Sequence, residues 1–152
     1  MKKYSLEWWQ SLPPEKTGKE TERIVEKLFE SWNENSRFSW HRLPDAKAAR
    51  GFLAAQPADY VWWSLPHGGY LEVKACAHHF RLPKDKVRQL PLLRKHALAG
   101  ARSLVLVNHY LLDGWRIMNA SQLATDVPSW DLSDYPLYQS AEEALKSTGL
   151  FS

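Results

Sequence analysis

The sequence lacks the features that would place a protein in a membrane or an oxidising compartment. Cys76 is the only cysteine among 152 residues, so no disulfide can form within one chain. No apolar run approaches the roughly 18 residues of a transmembrane helix, and residues 1–16 hold no apolar run of signal-peptide length. With no repeat and no low-complexity tract, we expect one cytoplasmic domain over residues 1–152, without a membrane partner.

Acidic residues are scarce in the middle of the chain. The formal net charge is +3, and the sequence pI is about 9.0. Between residues 74 and 102 the only acid is Asp85, against eight basic residues: Lys74, Arg81, Lys84, Lys86, Arg88, Arg94, Lys95 and Arg102. Because surface helices usually interleave the two signs, this segment favours contact with a polyanion such as a nucleic-acid backbone.

Hydrophobic periodicity predicts a helix followed by a β-hairpin in the first half of the chain. Pro13-Pro14 is expected to block a helix in the N-terminal arm, and Thr17 is a candidate N-cap for the helix that follows. The expected elements are an irregular arm, a helix, a strand, a loop or partial helix and a two-stranded hairpin, over residues 1–17, 18–35, 37–42, 43–57 and 58–76.

The second half predicts a further alternation of helices and strands. Pro91 must begin or kink the helix expected within residues 84–101, and Gly100 is its natural C-terminal cap. Strands are expected over residues 101–110 and 114–120, and a helix over 140–147 whose capping box pairs Ser140 with Glu143. This order predicts an α/β domain with a mixed central β-sheet flanked by α-helices.

Three charged residues on the predicted hairpin form the candidate site. Side chains two apart share a face of a strand, so Glu72 and Lys74 point together, and Asp59 on the neighbouring strand can approach Glu72. Two carboxylates repel each other unless a cation joins them, and such oxygen ligands suit Mg²⁺ or Mn²⁺. An acid–acid–lysine set can hydrolyse a phosphodiester; Glu-x-Lys alone would more often be a solvated ion pair.

These residues resemble a family. The Asp-x12-Glu-x-Lys spacing is similar to the PD-(D/E)xK nuclease superfamily, and most of all to Holliday-junction resolvases of the archaeal and phage type. The matching motifs are Gly18-x-x-x-Glu22-Arg23, Pro57-Ala58-Asp59 and Glu72-Val73-Lys74. Resolvases of Gram-positive bacteria offer a second resemblance through Phe80-Arg81-Leu82 and Gln89. The likeness covers residues 18 to about 118, a nuclease core between an arm over 1–17 and an extension over about 124–152.

The resemblance implies a restriction-endonuclease-like fold and a role for each matched residue. Asp59, Glu72 and the Val73 carbonyl would hold Mg²⁺, and Lys74 would position the attacking water and meet the phosphate. Glu22 would complete a second metal, and Gln89 would hold water or phosphate nearby. Helix geometry alone leaves Glu20 as a competitor of Glu22; the Glu-Arg match favours Glu22.

The implied activity is paired, symmetric nicking of a four-way DNA junction by a homodimer, whose two-fold symmetry matches that of the substrate. The small size favours a phage origin. Trp62 and Trp63 are expected to divide between the core and a dimer surface. The predicted DNA-contacting residues are Arg42, Lys47, Arg50, Arg81, Lys84, Lys86, Arg88, Arg94 and Lys95.

Three other interpretations remain open. The same metal site could cut duplex, flap or other branched DNA, or the domain could bind DNA without cutting it. A zinc site at Cys76, His78 and His79 is disfavoured, because zinc needs about four ligands and no further cysteine or His-x-x-x-His pair follows.

Overall fold

A computed structural model describes residues 1–44 and 56–150. The described residues form four α-helices, α1 to α4, over Leu6–Ser11, Pro14–Trp32, Leu90–Leu98 and Ala141–Lys146. Their strands, β1 to β7, span Phe38–Arg42, Tyr60–Ser64, His67–Cys76, Arg81–Pro83, Arg102–His109, Gly114–Asn119 and Ser129–Asp131. Short 3₁₀ helices cover Lys84–Lys86 and Ala120–Gln122. Most of the loop or partial helix expected over 43–57 lies outside the described residues.

A mixed sheet confirms the predicted fold class. Among the described residues five strands pair in the order β1-β2-β3-β5-β6. Only the central pair, β3 and β5, is parallel; the other neighbours are antiparallel. Gly69 lies where β3 passes close to β5, since a Cβ there would collide with the backbone of Arg102.

Two apolar layers cover the two faces of this sheet. On one face, Val25 and Phe29 of α2 pack with Trp62 and Leu71, and α4 closes the same layer. On the other face, Leu90 and the rest of α3 pack against β5 and the segment that follows β6. Helices on both faces bury β5 along nearly its whole length, which explains its nearly continuous apolar run.

The β2–β3 hairpin was predicted correctly, and its turn is short. Ser64 pairs with His67, so Leu65 and Pro66 alone form the turn, and the two glycines after them belong to β3. In α3 the helix begins at Leu90 with Pro91 in its first turn. Gly100, with φ of 109°, follows its last residues, as a helix C-terminal cap requires.

The prediction of an irregular N-terminal arm was wrong. Ser5 caps α1 by accepting a hydrogen bond from Trp8 N at 3.2 Å, and Trp9 of this helix is buried against Tyr110. Helix α2 begins at Pro14, because proline in a first helical turn lacks only an N–H that would be unpaired there. Thr17 therefore lies inside the helix, where its hydroxyl donates to the Pro14 carbonyl at 2.7 Å.

The C-terminal extension packs against the core. Ser140 accepts a hydrogen bond from Glu143 N at 3.1 Å, as the capping box predicted. The three-residue strands β4 and β7 form a second small sheet that the sequence did not indicate, since three residues are too few to show an alternating pattern. In the described ranges, no helix combines the length and apolar character needed to cross a bilayer.

Candidate functional site

The hairpin places Asp59 opposite Glu72. Asp59 immediately precedes β2, whose first residue, Tyr60, pairs with Leu71. Its carboxylate accepts a hydrogen bond from Val73 N at 2.8 Å. Asp59 is thus fixed across the ladder by the backbone of the strand that carries the other two site residues, although it lies just outside the strand in which it was expected.

Glu72 and Lys74 point to the same face of β3, as the strand alternation predicted. Lys74 Nζ lies 3.0 Å from Glu72 Oε1. Glu72 is 3% exposed, whereas the Lys74 side chain remains 26% exposed. The pair is therefore no solvated surface ion pair, because its acid is removed from water while its lysine still reaches an opening.

Glu22 approaches the same place from α2. Its Oε2 accepts from Arg42 Nη2 at 3.0 Å. Burial and then the nearby Asp59 carboxylate raise the pKa of Glu22, and Arg42 partly offsets both effects. Glu20, the competing candidate, forms an ion pair with Arg23 instead. The helix therefore directs Glu22, and not Glu20, towards Asp59.

An open cleft of about 740 Å³ unites these side chains. One wall is the N-terminal part of α2, another is β3, and the rim opposite is the segment from β4 to α3. The predicted site residues that line it are Glu22, Asp59, Glu72, Val73, Lys74 and Gln89. All six residues that the resemblance implied are thus brought to one cleft.

Glu72 has the most strongly perturbed acidity in the cleft. Burial, and after it the neighbouring Asp59 carboxylate, raise the pKa of Glu72 to about 8, although Lys74 acts in the opposite direction. Glu72 therefore keeps its proton to an unusually high pH, and a cation in the cleft could replace that proton.

The donor set fits a hard divalent cation. Within residues 1–44 and 56–150, no three His, Cys, Asp or Glu side chains are already placed around one ion position. Even so, Asp59 and Glu72 adjoin each other, Glu22 faces them, and all three offer oxygen ligands in a cleft open enough for water. Carboxylates supplemented by water are the environment that Mg²⁺ or Mn²⁺ prefers.

The predicted DNA-contacting residues divide into several groups. Lys86 and Arg88 are exposed on the rim of the cleft. Arg42 lies beside the cleft, where it pairs with Glu22. Lys47 and Arg50 lie outside the described residues. The remaining members lie away from the cleft lining.

Among those remaining residues, Lys95 is exposed on α3, and three others contact the segment that follows β6. Arg81 donates to Ser129 Oγ at 3.0 Å, Lys84 donates to the Thr125 carbonyl, and Arg94 donates to the Leu123 carbonyl at 2.6 Å. The backbone contacts of Arg94 give it a structural role that the charge pattern did not indicate. DNA contact by any of these residues stays a prediction.

A buried polar network around Arg116 was not predicted from the sequence. Arg116 Nη1 donates to the His79 carbonyl at 2.6 Å and to His109 Nε2 at 3.2 Å. His109 Nδ1 in turn donates to the His78 carbonyl at 2.7 Å. This network fixes the loop between β3 and β4, which leads to the cleft rim. An arginine within the apolar run of β6 was the available signal, because a buried charge requires such partners.

The Cys76–His79 segment makes local contacts. The buried Cys76 thiol donates to the Arg81 carbonyl at 3.1 Å. His78 Nδ1 accepts from Phe80 N and Arg81 N at 3.2 and 3.0 Å. These contacts shape the bend between β3 and β4, so Cys76 and His78 each have a structural use.

The mixed five-stranded sheet, with its central parallel pair and helices on both faces, matches a restriction-endonuclease-like fold. Among solved structures, the chain is similar to that of Hjc, a Holliday junction resolvase from the archaeal hyperthermophile Archaeoglobus fulgidus. The two share a TM-score of 0.51 and 24% sequence identity over 83% of this chain and 98% of the resolvase. At this identity the likeness establishes the fold. No protein-family model matches the chain, and no curated protein sequence does.

Glu72 should make the fold less stable as the pH rises. Its pKa is raised above the ordinary carboxyl value of 4.5 to about 8. The folded state therefore binds this proton more tightly than the unfolded state does. The bound proton stabilises the fold fully below pH 4.5, and this stabilisation is lost as the pH rises through about 8. We expect the free energy of unfolding, measured with urea in EDTA, to fall over this range in the wild type relative to Glu72→Gln. Parallel curves for the two proteins would contradict this assignment.

Proposed function

We propose that this protein is a Mg²⁺-dependent endonuclease that resolves four-way DNA junctions by paired, symmetric nicks. The observation that carries the proposal is that Glu22, Asp59, Glu72, Lys74 and Gln89 line one cleft. The restriction-endonuclease-like fold and the similarity to a solved Holliday junction resolvase support it. The exposed Lys86 and Arg88 give the cleft rim the positive charge that a phosphate backbone requires.

Asp59, Glu72 and the Val73 carbonyl would hold one cation, and Glu22 would complete a second. When bound, Mg²⁺ supplies charge neutralisation at the phosphate and makes a nearby water more acidic. Asp59 is fixed for this role by its hydrogen bond from Val73 N at 2.8 Å. Burial of Glu72 strengthens its interaction with any positive charge in the cleft, because little water screens it.

Lys74 has the contacts needed to orient the nucleophile. One of its N–H groups is directed to Glu72 at 3.0 Å, which leaves its other donors for a water and a phosphate oxygen at the cleft opening. Gln89, on the opposite rim, can both donate to phosphate and accept from water. In-line attack by the oriented water would leave a 5′-phosphate and a 3′-hydroxyl.

The paired nicks require two sites related by two-fold symmetry, so we propose a homodimer as the active form. Trp63 is 61% exposed although its neighbour Trp62 is fully buried. Trp63 is therefore available for a partner subunit, as its sequence context suggested.

The decisive assay compares two DNA substrates. Wild-type protein is incubated with a labelled four-way junction and with linear duplex of the same sequence, in Mg²⁺ and in EDTA. We expect paired symmetric nicks in the junction alone, only with Mg²⁺, and their loss in Asp59→Asn. Asp113→Asn is the matched control, since Asp113 lies in an exposed turn with φ of 55°, a conformation that asparagine adopts readily.

The other outcomes select the alternatives. Equal cutting of both DNAs would support the metal site and refute junction specificity. DNA binding without any Mg²⁺-dependent product would indicate a binding module, in which Glu72 and Lys74 are only a buried ion pair.

Gly18 should separate stability from activity. It lies within α2 on the cleft wall, and a Cβ added there would meet no atom within 4 Å. Alanine in a helix is favoured over glycine by roughly 0.5–1 kcal/mol, so Gly18→Ala should unfold at higher denaturant concentration. Because the new methyl group occupies space in the cleft, the same variant should bind and nick DNA more weakly. Unchanged nicking kinetics would show that DNA does not approach this wall.

A further inference from the structure

Arg42 ties the site helix to the end of β1. Its guanidinium donates to Glu22 Oε2 at 3.0 Å and to Glu26 Oε1 at 2.7 Å, and these two acids are one helical turn apart on α2. It also donates to the Tyr60 hydroxyl at 3.2 Å and lies 5.6 Å from the centre of the Tyr60 ring. Four contacts thus hold one positive charge beside the cleft.

The positive charge of Arg42 neutralises the Glu22 carboxylate, as a bound cation would. Glu22 is partly buried and faces the Asp59 carboxylate, so an unneutralised Glu22 is unfavourable. Arg42 supplies the neutralising charge from the end of β1, which β2 separates from β3. A divalent cation that used Glu22 would have to share that carboxylate with the guanidinium or displace it.

We propose that the Arg42 guanidinium competes with the divalent cation for the Glu22 carboxylate. Arg42 neutralises Glu22 while the cleft holds no cation, and it therefore weakens cation binding there. The idea rests on the proposed metal-dependent function and concerns how its cation site is regulated. Arg42 then acts through Glu22 without touching the reacting atoms, and its side chain is half exposed, so a DNA phosphate could draw it away. DNA binding would in that way release Glu22 for the cation.

If Arg42 competes with the cation, its replacement should change the cation affinity in the opposite direction from that expected if Arg42 only positions Glu22. If Arg42 competes, then removing its charge strengthens cation binding, because the repulsion between guanidinium and cation disappears. If Arg42 merely orients Glu22, then removing it lets the carboxylate turn away, and cation binding weakens. The sign of the change therefore decides between the two roles.

The test is isothermal titration of the DNA-free protein with Mg²⁺ and with Mn²⁺. We expect Arg42→Gln to bind the cation roughly ten-fold more tightly than the wild type, and Arg42→Lys, which retains the charge, to stay near the wild type. The double variant Glu22→Gln/Arg42→Gln should lose the gain. Arg37→Gln, an exposed charge just before β1, controls for net charge.

A second measurement tests the proposal even if Arg42→Gln is less stable than the wild type. The rise in melting temperature on adding Mn²⁺ should be larger for this variant than for the wild type, whatever their melting temperatures in EDTA. Equal or weaker cation binding by Arg42→Gln, in protein that binds the cation, would overturn the competition and leave the proposed nuclease intact. Absence of cation binding from every variant would overturn both.

Discussion

Glu72→Gln is expected to reduce the rate of DNA nicking by about 10³-fold or more while leaving the fold intact. A preorganised charged group in a water-poor cleft accelerates a reaction by a factor on the order of 10²–10³. Glu72 would have two such roles, because it would bind the cation and it also positions Lys74. Glutamine retains the shape of the side chain but removes the negative charge. The rate is measured under single-turnover conditions with a labelled four-way junction in Mg²⁺.

The stability of the same variant separates a functional role from a structural one. Glu72 is 3% exposed and adjoins the Asp59 carboxylate, so its charge opposes folding above its raised pKa. Removing that charge should leave the free energy of unfolding at pH 8 equal to or above that of the wild type. A residue retained for stability would show the reverse, with lower stability and proportionate loss of activity.

Glu142→Gln provides the matched control for this experiment. Glu142 forms an exposed ion pair with Lys146 on α4, at 2.8 Å, and does not line the cleft. Its loss should change neither nicking nor stability appreciably. Nicking by Glu72→Gln at the wild-type rate would remove Glu72 from the mechanism and, with it, the main argument for the cleft as the active site.

The arrangement of the site residues could be predicted because short-range geometry determines it. Alternation along one strand places Glu72 and Lys74 together, and the register of a tight hairpin places Asp59 beside them. Glu22 needed more, since both it and Glu20 flank the buried stripe of α2. Its selection came from a motif and agrees with the structure, in which Glu22 lies near Asp59.

The elements that escaped prediction depend on contacts between distant segments. The proline pair suggested an arm without a helix, yet Trp9 finds a partner in Tyr110 at the end of β5 and α1 forms over it. Arg94 was assigned to DNA because charge patterns carry no information about partners. Its acceptors lie 26 to 29 residues further along the chain, where carbonyl groups at Ala120, Ser121 and Leu123 need a donor.

Trp62 and Trp63, which are adjacent in β2, should contribute very different amounts to the stability of the fold. Trp62 is fully buried, paired between Trp40 and Gly69, whereas Trp63 is 61% exposed and rests on Gly68. Trp62→Ala should cost about 3–5 kcal/mol, through lost burial and the cavity left behind. Trp63→Ala should cost within about 1 kcal/mol, since most of its ring is already in water.

Guanidinium unfolding followed by circular dichroism measures both variants on the same scale, and Trp62→Phe refines the comparison. Among the described residues, the Trp62 indole N–H has no hydrogen-bond partner. Phenylalanine therefore gives up some ring volume but no hydrogen bond, and should cost clearly less than alanine. A cost for Trp63→Ala equal to or above that for Trp62→Ala would contradict this assignment of the two faces of β2. Because Asp59 and Glu72 are placed by the register of this same hairpin, such a result would also displace the candidate site.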